Sequence, residues 1–523
     1  MPYGHLLRTA LFTLAAFAYS VCSLPLHAAQ DKNYAPVTHG VAVGDVHANQ
    51  AVIWSRTDRA AVMHLRLSAR GADTLQRVTT VTAEHDYTGK IAVHVLRPDS
   101  VYEYQVWFDA ATSAKDDAST DVKPAEGNTD AISRDKGKAD KRGVTTGTFR
   151  TAPDAARERA VTFAWGGDLA GQNVCRDATE GFPIFNAIGA LNLDFFVGLG
   201  DMIYADNTCD AVGRYGNAQV PGNFERAATL PAFWAHWKYN RGDGAYRALL
   251  GKLPYYAIWD DHEVVNDFGP LHDTRGTPPY TAGAHLLPLG LQAFIDYNPI
   301  AEIAQTPRRL YRSVRWGKHV ELFMLDARQY RDANLTPDDA ARPKTMLGRE
   351  QLVWLKQKLA DSDATWKIIV SSVPVSIPTG FPPELGRDGW ANFDQNTGFE
   401  NELLDILRFM QQRGMRNTAW ITTDVHFAEV FRYTPFSDDA GFKVYEFVSG
   451  PLSAGLFPNH AYDTTLNTES LFFFGPSGDV TRYVDAKPWM NFGLARVDEH
   501  GKLSVSIRNI QGAPVYEVTL DPQ

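Results

Sequence analysis

Four apolar runs in this chain end on side chains that can hold a metal ion, and no other feature narrows the possible folds so far. Val161-Thr-Phe-Ala-Trp-Gly-Gly leads into Asp168, and Phe195-Phe-Val-Gly-Leu-Gly into Asp201. Tyr255-Tyr-Ala-Ile-Trp leads into Asp260-Asp261-His262-Glu263, and Trp420-Ile-Thr-Thr into Asp424-Val425-His426. Short continuous apolar runs fit the buried strands of an α/β sheet. The carboxyl ends of such strands share one crevice, so residues distant in sequence meet there. A single Asp after a strand is more often the N-cap of the next helix. Caps, however, need no His, no paired glycines, and no acidic tetrad after an apolar strand, where charge must be paired or metal-bound.

The rest of the chain supports that reading. After Arg159, apolar runs alternate with amphipathic helices, predicted at residues 348–362 (Leu352, Leu355, Leu359) and 400–413 (Leu403, Leu407, Met410, with Gly414 as cap). From Gly40 to Phe108 apolar residues alternate at period two, which predicts a β-sandwich at residues 33–152. Residues 110–142 are rich in Ser, Thr, Asp, Lys and Gly and read as a flexible insertion in it. Residues 491–520 alternate again around a Glu499-His500-Gly501 turn and complete a sheet of the second unit, which spans 159–523. Two aromatic clusters, Leu471 to Phe474 and Gly389 to Phe393, are either core, a lid or a hydrophobic substrate wall, with core packing favoured for the triple Phe.

Arg8, an apolar run from Leu11 to Leu26, and Ala28-Ala29 read as a signal peptide over 1–29, implying a periplasmic or secreted protein. No later stretch reaches the roughly 18 apolar residues of a transmembrane span. Cys175 and Cys209 remain after the leader, either as a disulfide or as two buried thiols. The net charge of −10 and the lack of a basic stripe exclude nucleic-acid binding. An acidic chain that handles anions needs local cations, and metal ions are the ready source. Gly198-Leu-Gly200 has Ile203 where a dinucleotide fingerprint needs glycine. His262-Glu263-Val264-Val265-Asn266 lacks the second His of a zinc protease, and no Gly-x-Ser-x-Gly elbow occurs.

Gly200-Asp201-Met-Ile-Tyr204, Trp259-Asp260-Asp261-His262-Glu263-Val264-Val265-Asn266, Leu325-Asp326-Ala327-Arg328-Gln329-Tyr330-Arg331-Asp332, Met346-Leu347-Gly348-x-Glu350-Gln351 and Asp424-Val425-His426 resemble motifs of the alkaline phosphatase D family of calcineurin-like metallophosphatases, in family order. Gly40-Val-Ala-Val-Gly44-Asp45 and Trp54-Ser-Arg56 resemble that family's N-terminal domain. The resemblance implies a fibronectin-III-like β-sandwich followed by a four-layer α/β metallophosphatase domain. It also implies an exported phosphoric ester hydrolase whose nucleophile is a hydroxide activated by two metal ions. Asp201 would bridge the ions; Asp168, the Tyr204 phenolate and His426 would hold the first, and Asn266 and Asp424 the second. Family members commonly use Fe3+ with Ca2+, but many carry Cys where this chain has Asp168, which leaves iron, Mn2+ or Zn2+ for the first site. His262 is the candidate to contact the phosphate or leaving group, unless Asp260 or Asp261 merely orients it; Arg328 is a candidate phosphoryl ligand, unless Asp326 or Asp332 holds it. The alternatives are a phosphodiesterase of phospholipase D type acting on lipid or polymer substrates, and a non-catalytic secreted binding protein.

Overall fold

The computed structural model describes residues 33–110, 143–269, 272–276, 280–380, 383–458 and 461–523. The predicted signal peptide at 1–29 and nearly all of the predicted insertion lie outside them. Two large sheets dominate. One has nine strands in the order Pro514–Leu520, Leu503–Asn509, Asn491–Val497, Val161–Gly166, Phe195–Gly198, Pro254–Ala257, Val41–Gly44, Gln50–Arg56, Thr88–His94. The other has seven, ordered Arg312–Trp316, Val320–Met324, Trp366–Val370, Thr418–Thr422, Val444–Val448, Ala428–Tyr433, Thr468–Phe474. The strands that run into Asp168, Asp201 and Asp260 are parallel to one another, with Phe196 opposite Ala164 and Tyr255, while Val161–Gly166 pairs antiparallel with Asn491–Val497 on its other edge.

Side-chain alternation explains why the sheets stack. Phe163, Trp165, Phe195, Val197 and Tyr256 point from the first sheet into a core shared with Leu322, Met324, Ile368, Val370 and Ile421 of the second. Their sequence neighbours Ala164, Phe196 and Tyr255 face the opposite way, onto the helices Leu230–Arg241, Gly244–Leu250 and Leu287–Tyr297. On the far side of the second sheet, Phe323, Ile369 and Trp420 pack on Gly348–Asp361 and Glu400–Gln412. Because these strands are buried on both faces, their sequence reads as continuous apolar runs rather than alternation. Both predicted helices form, the second with Gly414 at φ +68° just beyond its end.

The N-terminal region is rich in strands, but its sheets are not self-contained. Tyr34–Ala35, Val101–Ala110, Ala61–Ala69 and Leu75–Val81 form one small sheet with Thr145–Arg150. The strands that face it, Val41–Gly44, Gln50–Arg56 and Thr88–His94, belong to the nine-stranded sheet. The join is the parallel pairing of Val43 and Gly44 with Pro254 and Tyr255. Period-two alternation reports which face of a strand is buried and says nothing about its edge partner, so sequence pattern missed this continuity. Cys175 and Cys209 form a disulfide, Cα–Cα 5.8 Å, which ties the loop after Asp168 to the loop after Tyr204. Phe472 stacks on Tyr516 of the strand Pro514–Leu520 at 4.7 Å and Phe474 lies against Trp489 of the short helical turn Lys487–Trp489 at 4.9 Å, so this aromatic run is packing between elements. No helix of the described residues is long and apolar enough to cross a membrane.

The join depends on a missing side chain. A Cβ on Gly44 would stand 2.4 Å from the Pro299 ring and 2.6 Å from the Tyr255 carbonyl oxygen. Gly44→Ala is expected to destabilise the protein by about 1–3 kcal/mol through overpacking. Gly244→Ala, with open space around its Cβ, should change little. Urea unfolding of the two variants checks the contrast.

Candidate metal centre

The glycines beside the motifs let three strand ends crowd together. A Cβ on Gly167 would lie 2.7 Å from the Gly200 carbonyl oxygen, and one on Gly200 would lie 2.6 Å from Cβ of Asp260. Past these glycines the chain turns sharply. Asp168, Asp201, Asp424 and His426 hold φ values of 62°, 51°, 82° and 59°, a left-handed region that costs non-glycine residues energy. Such strain persists only where surrounding structure enforces it, and it clusters at functional sites.

Carboxylate and imidazole atoms of Asp168, Asp201 and His426 lie within 4.8 Å of one another, as do those of Asp201, Asp260, Asp261 and Asp424. Asp201 belongs to both groups and therefore sits between them. Tyr204 Oη is 2.7 Å from His426 Nε2, which is 3.8 Å from Asp168 Oδ1. His426 Nδ1 donates to the Gly455 carbonyl, which can only accept, so Nε2 turns a lone pair toward Tyr204 and Asp168. Asn266 lines the cavity next to Asp261, His262, Asp424 and His426. All six residues that the sequence marks as ligands, Asp168, Asp201, Tyr204, Asn266, Asp424 and His426, thus gather about one rim.

Charge at this rim is out of balance. Burial raises the Asp168 carboxyl to about 8. Burial and the carboxylates of Asp261 and Asp260 hold Asp201 well above the usual range. Burial, then Asp260 and Asp261, do the same for Asp424. The Tyr204 phenol is pushed up by burial and by Asp201, while burial lowers His426 to about 3 and keeps it neutral. Asp168 Oδ1 and Asp201 Oδ2 are buried with no hydrogen-bond partner. Orphaned oxygens, a phenol and an imidazole lone pair facing one centre form a donor set that fits cations of intermediate hardness.

Sequence reasoning missed the groups that hold this rim in shape. The Glu263 carboxylate accepts from the backbone N–H groups of Asp201 (2.9 Å), Met202 (2.8 Å) and Asp260 (2.8 Å). Thr423 Oγ1 donates to Asp168 Oδ2 at 2.6 Å. Asp206, not Asp260 or Asp261, pairs with His262 Nδ1 at 2.7 Å; no spacing signal distinguishes it from a loop carboxylate. Burial opposes charge on His262, yet Asp206 and Asp261 outweigh it and raise the imidazole to about 10. Arg328 is fully buried and does not line the cavity: its guanidinium meets Asp260 (2.6 Å from Nε) and Asp388 (2.7 and 2.9 Å from one terminal nitrogen), while Asp326 accepts only its backbone N–H. The arginine of the cavity wall is Arg387.

Several known proteins are similar to this chain. Residues 163–507 match the model of the PhoD-like phosphatase, and residues 22–122 that of the PhoD-like phosphatase N-terminal domain. Alkaline phosphatase D of Bacillus subtilis (strain 168) is 24% identical over 446 residues, which cover 78% of this chain and 67% of that protein. A solved structure of PhoD matches with a TM-score of 0.67 at 19% identity, covering 93% of this chain and 89% of the other. The purple acid phosphatase PPD1 from yellow lupin (Lupinus luteus) seeds matches with a TM-score of 0.58 at 12% identity, covering 93% and 74%. The fold is therefore shared with PhoD and with this purple acid phosphatase. More narrowly, the chain belongs to the PhoD-like phosphatase family and is an enzyme that hydrolyses phosphate esters. This membership sets aside the reading as a non-catalytic binding protein.

The network beneath the rim carries a pH signature. Burial opposes charge on Asp388, but Arg328 and Arg331 outweigh it and lower the carboxyl to about 2. A carboxyl depressed by folding adds stability above its unfolded pKa of about 3.9 and loses it as pH falls through the folded value. Wild type should therefore lose on the order of 2–3 kcal/mol from this group between about pH 4 and 2. Asp388→Asn is expected to be less stable at pH 7 and flatter across that window, as read from denaturant midpoints.

Proposed function

We propose that this phosphatase works with two metal ions, the first held by Asp168, Asp201, Tyr204 and His426 and the second by Asp201, Asn266 and Asp424. The observation that carries the reading is the convergence of the unpartnered Asp168 and Asp201 oxygens with the His426 lone pair and the Tyr204 phenol. Fe3+ with Ca2+ suits this set, because a phenol held neutral by burial ionises readily only against a strongly charged ion; Mn2+ or Zn2+ in the first site is the rival assignment. Ions bound here would polarise the phosphoryl group and acidify a water, the chemistry that in-line displacement of an ester requires.

The protein's own groups then have distinct tasks. Asp201, fixed by the amides that Glu263 organises, keeps the two halves of the rim in register. His262, kept protonated by Asp206, lies at the cavity edge with its second nitrogen left for the ester, where it donates to a phosphoryl or leaving-group oxygen. Phe393, 42% exposed on the cavity wall, supports a substrate contact at that end of the cluster, whereas Trp390 is core packing against Trp420. We further assign the small sheet and the three N-terminal strands of the nine-stranded sheet to a fibronectin-III-like sandwich, and the other strands of the two large sheets with their flanking helices to a four-layer catalytic unit. The leader-like sequence at 1–29 supports export to the periplasm or medium.

Metal analysis and a visible spectrum test this directly. Purified protein is expected to hold stoichiometric metal, with a visible phenolate band that Tyr204→Phe abolishes if the first ion is ferric. Asp201→Asn should release metal and lower kcat by at least about a hundredfold. A metal-free preparation with full activity overturns the assignment. Comparing 4-nitrophenyl phosphate with bis(4-nitrophenyl) phosphate separates monoesterase from diesterase; a monoester preference of tenfold or more in kcat/KM is expected.

A further inference from the structure

The cavity that opens beside the acidic rim has a volume of about 620 Å3 and two unlike walls. One carries Asp261, His262, Asp424 and His426, with Phe457 stacked on His426 at 4.6 Å; the other carries Ile377, Pro378 and Phe393 together with Arg387. Reacting phosphate belongs to the first wall, so a cation in the second needs another explanation. Among the described residues that line the cavity, Arg387 is the one lysine or arginine.

Its charge is incompletely used. One terminal nitrogen pairs with Asp394, whose side chain is 59% exposed, and Nε is buried with no hydrogen-bond partner. Next to it, Thr379 Oγ1 is also buried and unpartnered. An arginine carries five N–H donors, and an exposed carboxylate on one side leaves capacity for a second anion.

The loop that presents Arg387 is held firmly. Asp388 receives Arg328, Arg331 (2.6 Å) and Asn334 (2.9 Å), and its N–H donates to the Thr379 carbonyl at 3.0 Å. A Cβ on Gly386 would stand 2.3 Å from the Asn334 carbonyl oxygen, so the backbone there is closely packed as well. Arg328 thus ties Asp260, at the end of a metal-site strand, to the residue that follows Arg387.

We propose that Arg387 forms a subsite for a second anionic group, carried on the leaving-group side of the ester, with the apolar wall covering the body between that group and the reacting phosphate. Arg328 is a positioning residue for this subsite. The inference rests on the hydrolase reading above and names the substrate class it favours: phosphate esters of apolar or planar alcohols that bear a further carboxylate or phosphate.

A matched pair of aryl monoesters tests it, phenyl phosphate and 4-carboxyphenyl phosphate, which differ by one carboxylate. In wild type the ratio of kcat/KM, carboxylated over plain, is taken as the reference. Arg387→Gln is expected to lower that ratio by about ten- to a hundredfold, the usual worth of a charge-assisted hydrogen bond. Asp394→Asn, at an exposed position, should raise it about threefold or more by removing a competing carboxylate. Calorimetric binding of phenylphosphonate and 4-carboxyphenylphosphonate reads the same ratio without turnover. It therefore still judges the subsite if neither ester is hydrolysed, a result that would instead overturn the hydrolase reading. Equal losses on both ligands in Arg387→Gln with no change in Asp394→Asn, or ratios unmoved in both variants, overturn the subsite.

Discussion

Repulsion among buried carboxylates governs this structure. Within the 4.8 Å that separates ligand atoms in each group, two unit charges at an effective dielectric near 20 interact by roughly 3–4 kcal/mol. Arg328 offsets part of this, but its single charge is already divided between Asp260 and Asp388. Glu263 adds another acid; backbone amides satisfy its oxygens, while burial raises its carboxyl to about 8. The remaining negative character lies on Asp168, Asp201 and Asp424. These groups either take up protons, as their raised affinities indicate, or are compensated by cations. Loading the site with metal and folding around it are in this sense coupled equilibria.

The sequence revealed the rim but not its supports, and the difference has a physical cause. Asp168, Asp201, Asp424 and His426 follow apolar runs whose ends must converge in a stacked sheet, so periodicity and topology bring them together before any coordinates are known. Asp206, Thr423 and Asp388 act through loops, where no periodicity constrains direction. For His262 the expected orienting groups were Asp260 and Asp261; the loop places Asp206 there instead. Arg328 is a natural candidate phosphate ligand because a guanidinium can grip phosphoryl oxygens bidentately, yet two buried carboxylates claim it first. Pattern reading likewise found the strands of the N-terminal region and the two helices, but not which edge each strand would join.

Backbone strain and close glycine contacts describe one design at the rim. Left-handed turns at Asp168 and Asp201 bend the chain back at the strand ends, and neighbouring glycines admit the approach that results. The disulfide between Cys175 and Cys209 fastens the two loops that leave these turns. The ligating atoms are thereby fixed by covalent and steric means, which is how a donor set keeps its shape while its charge changes.

The strand order also dictates when during synthesis the site can exist. Val161–Gly166, which delivers Asp168, has Phe195–Gly198 on one side and Asn491–Val497 on the other. A ribosome working from the amino end makes the second neighbour more than three hundred residues later. Until then the edge of that strand is open, and a nascent chain exposes unpaired amides on the strand that leads to Asp168. A polypeptide cut short before residue 491 therefore lacks the three strands on one side of this sheet and leaves Val161–Gly166 as its edge.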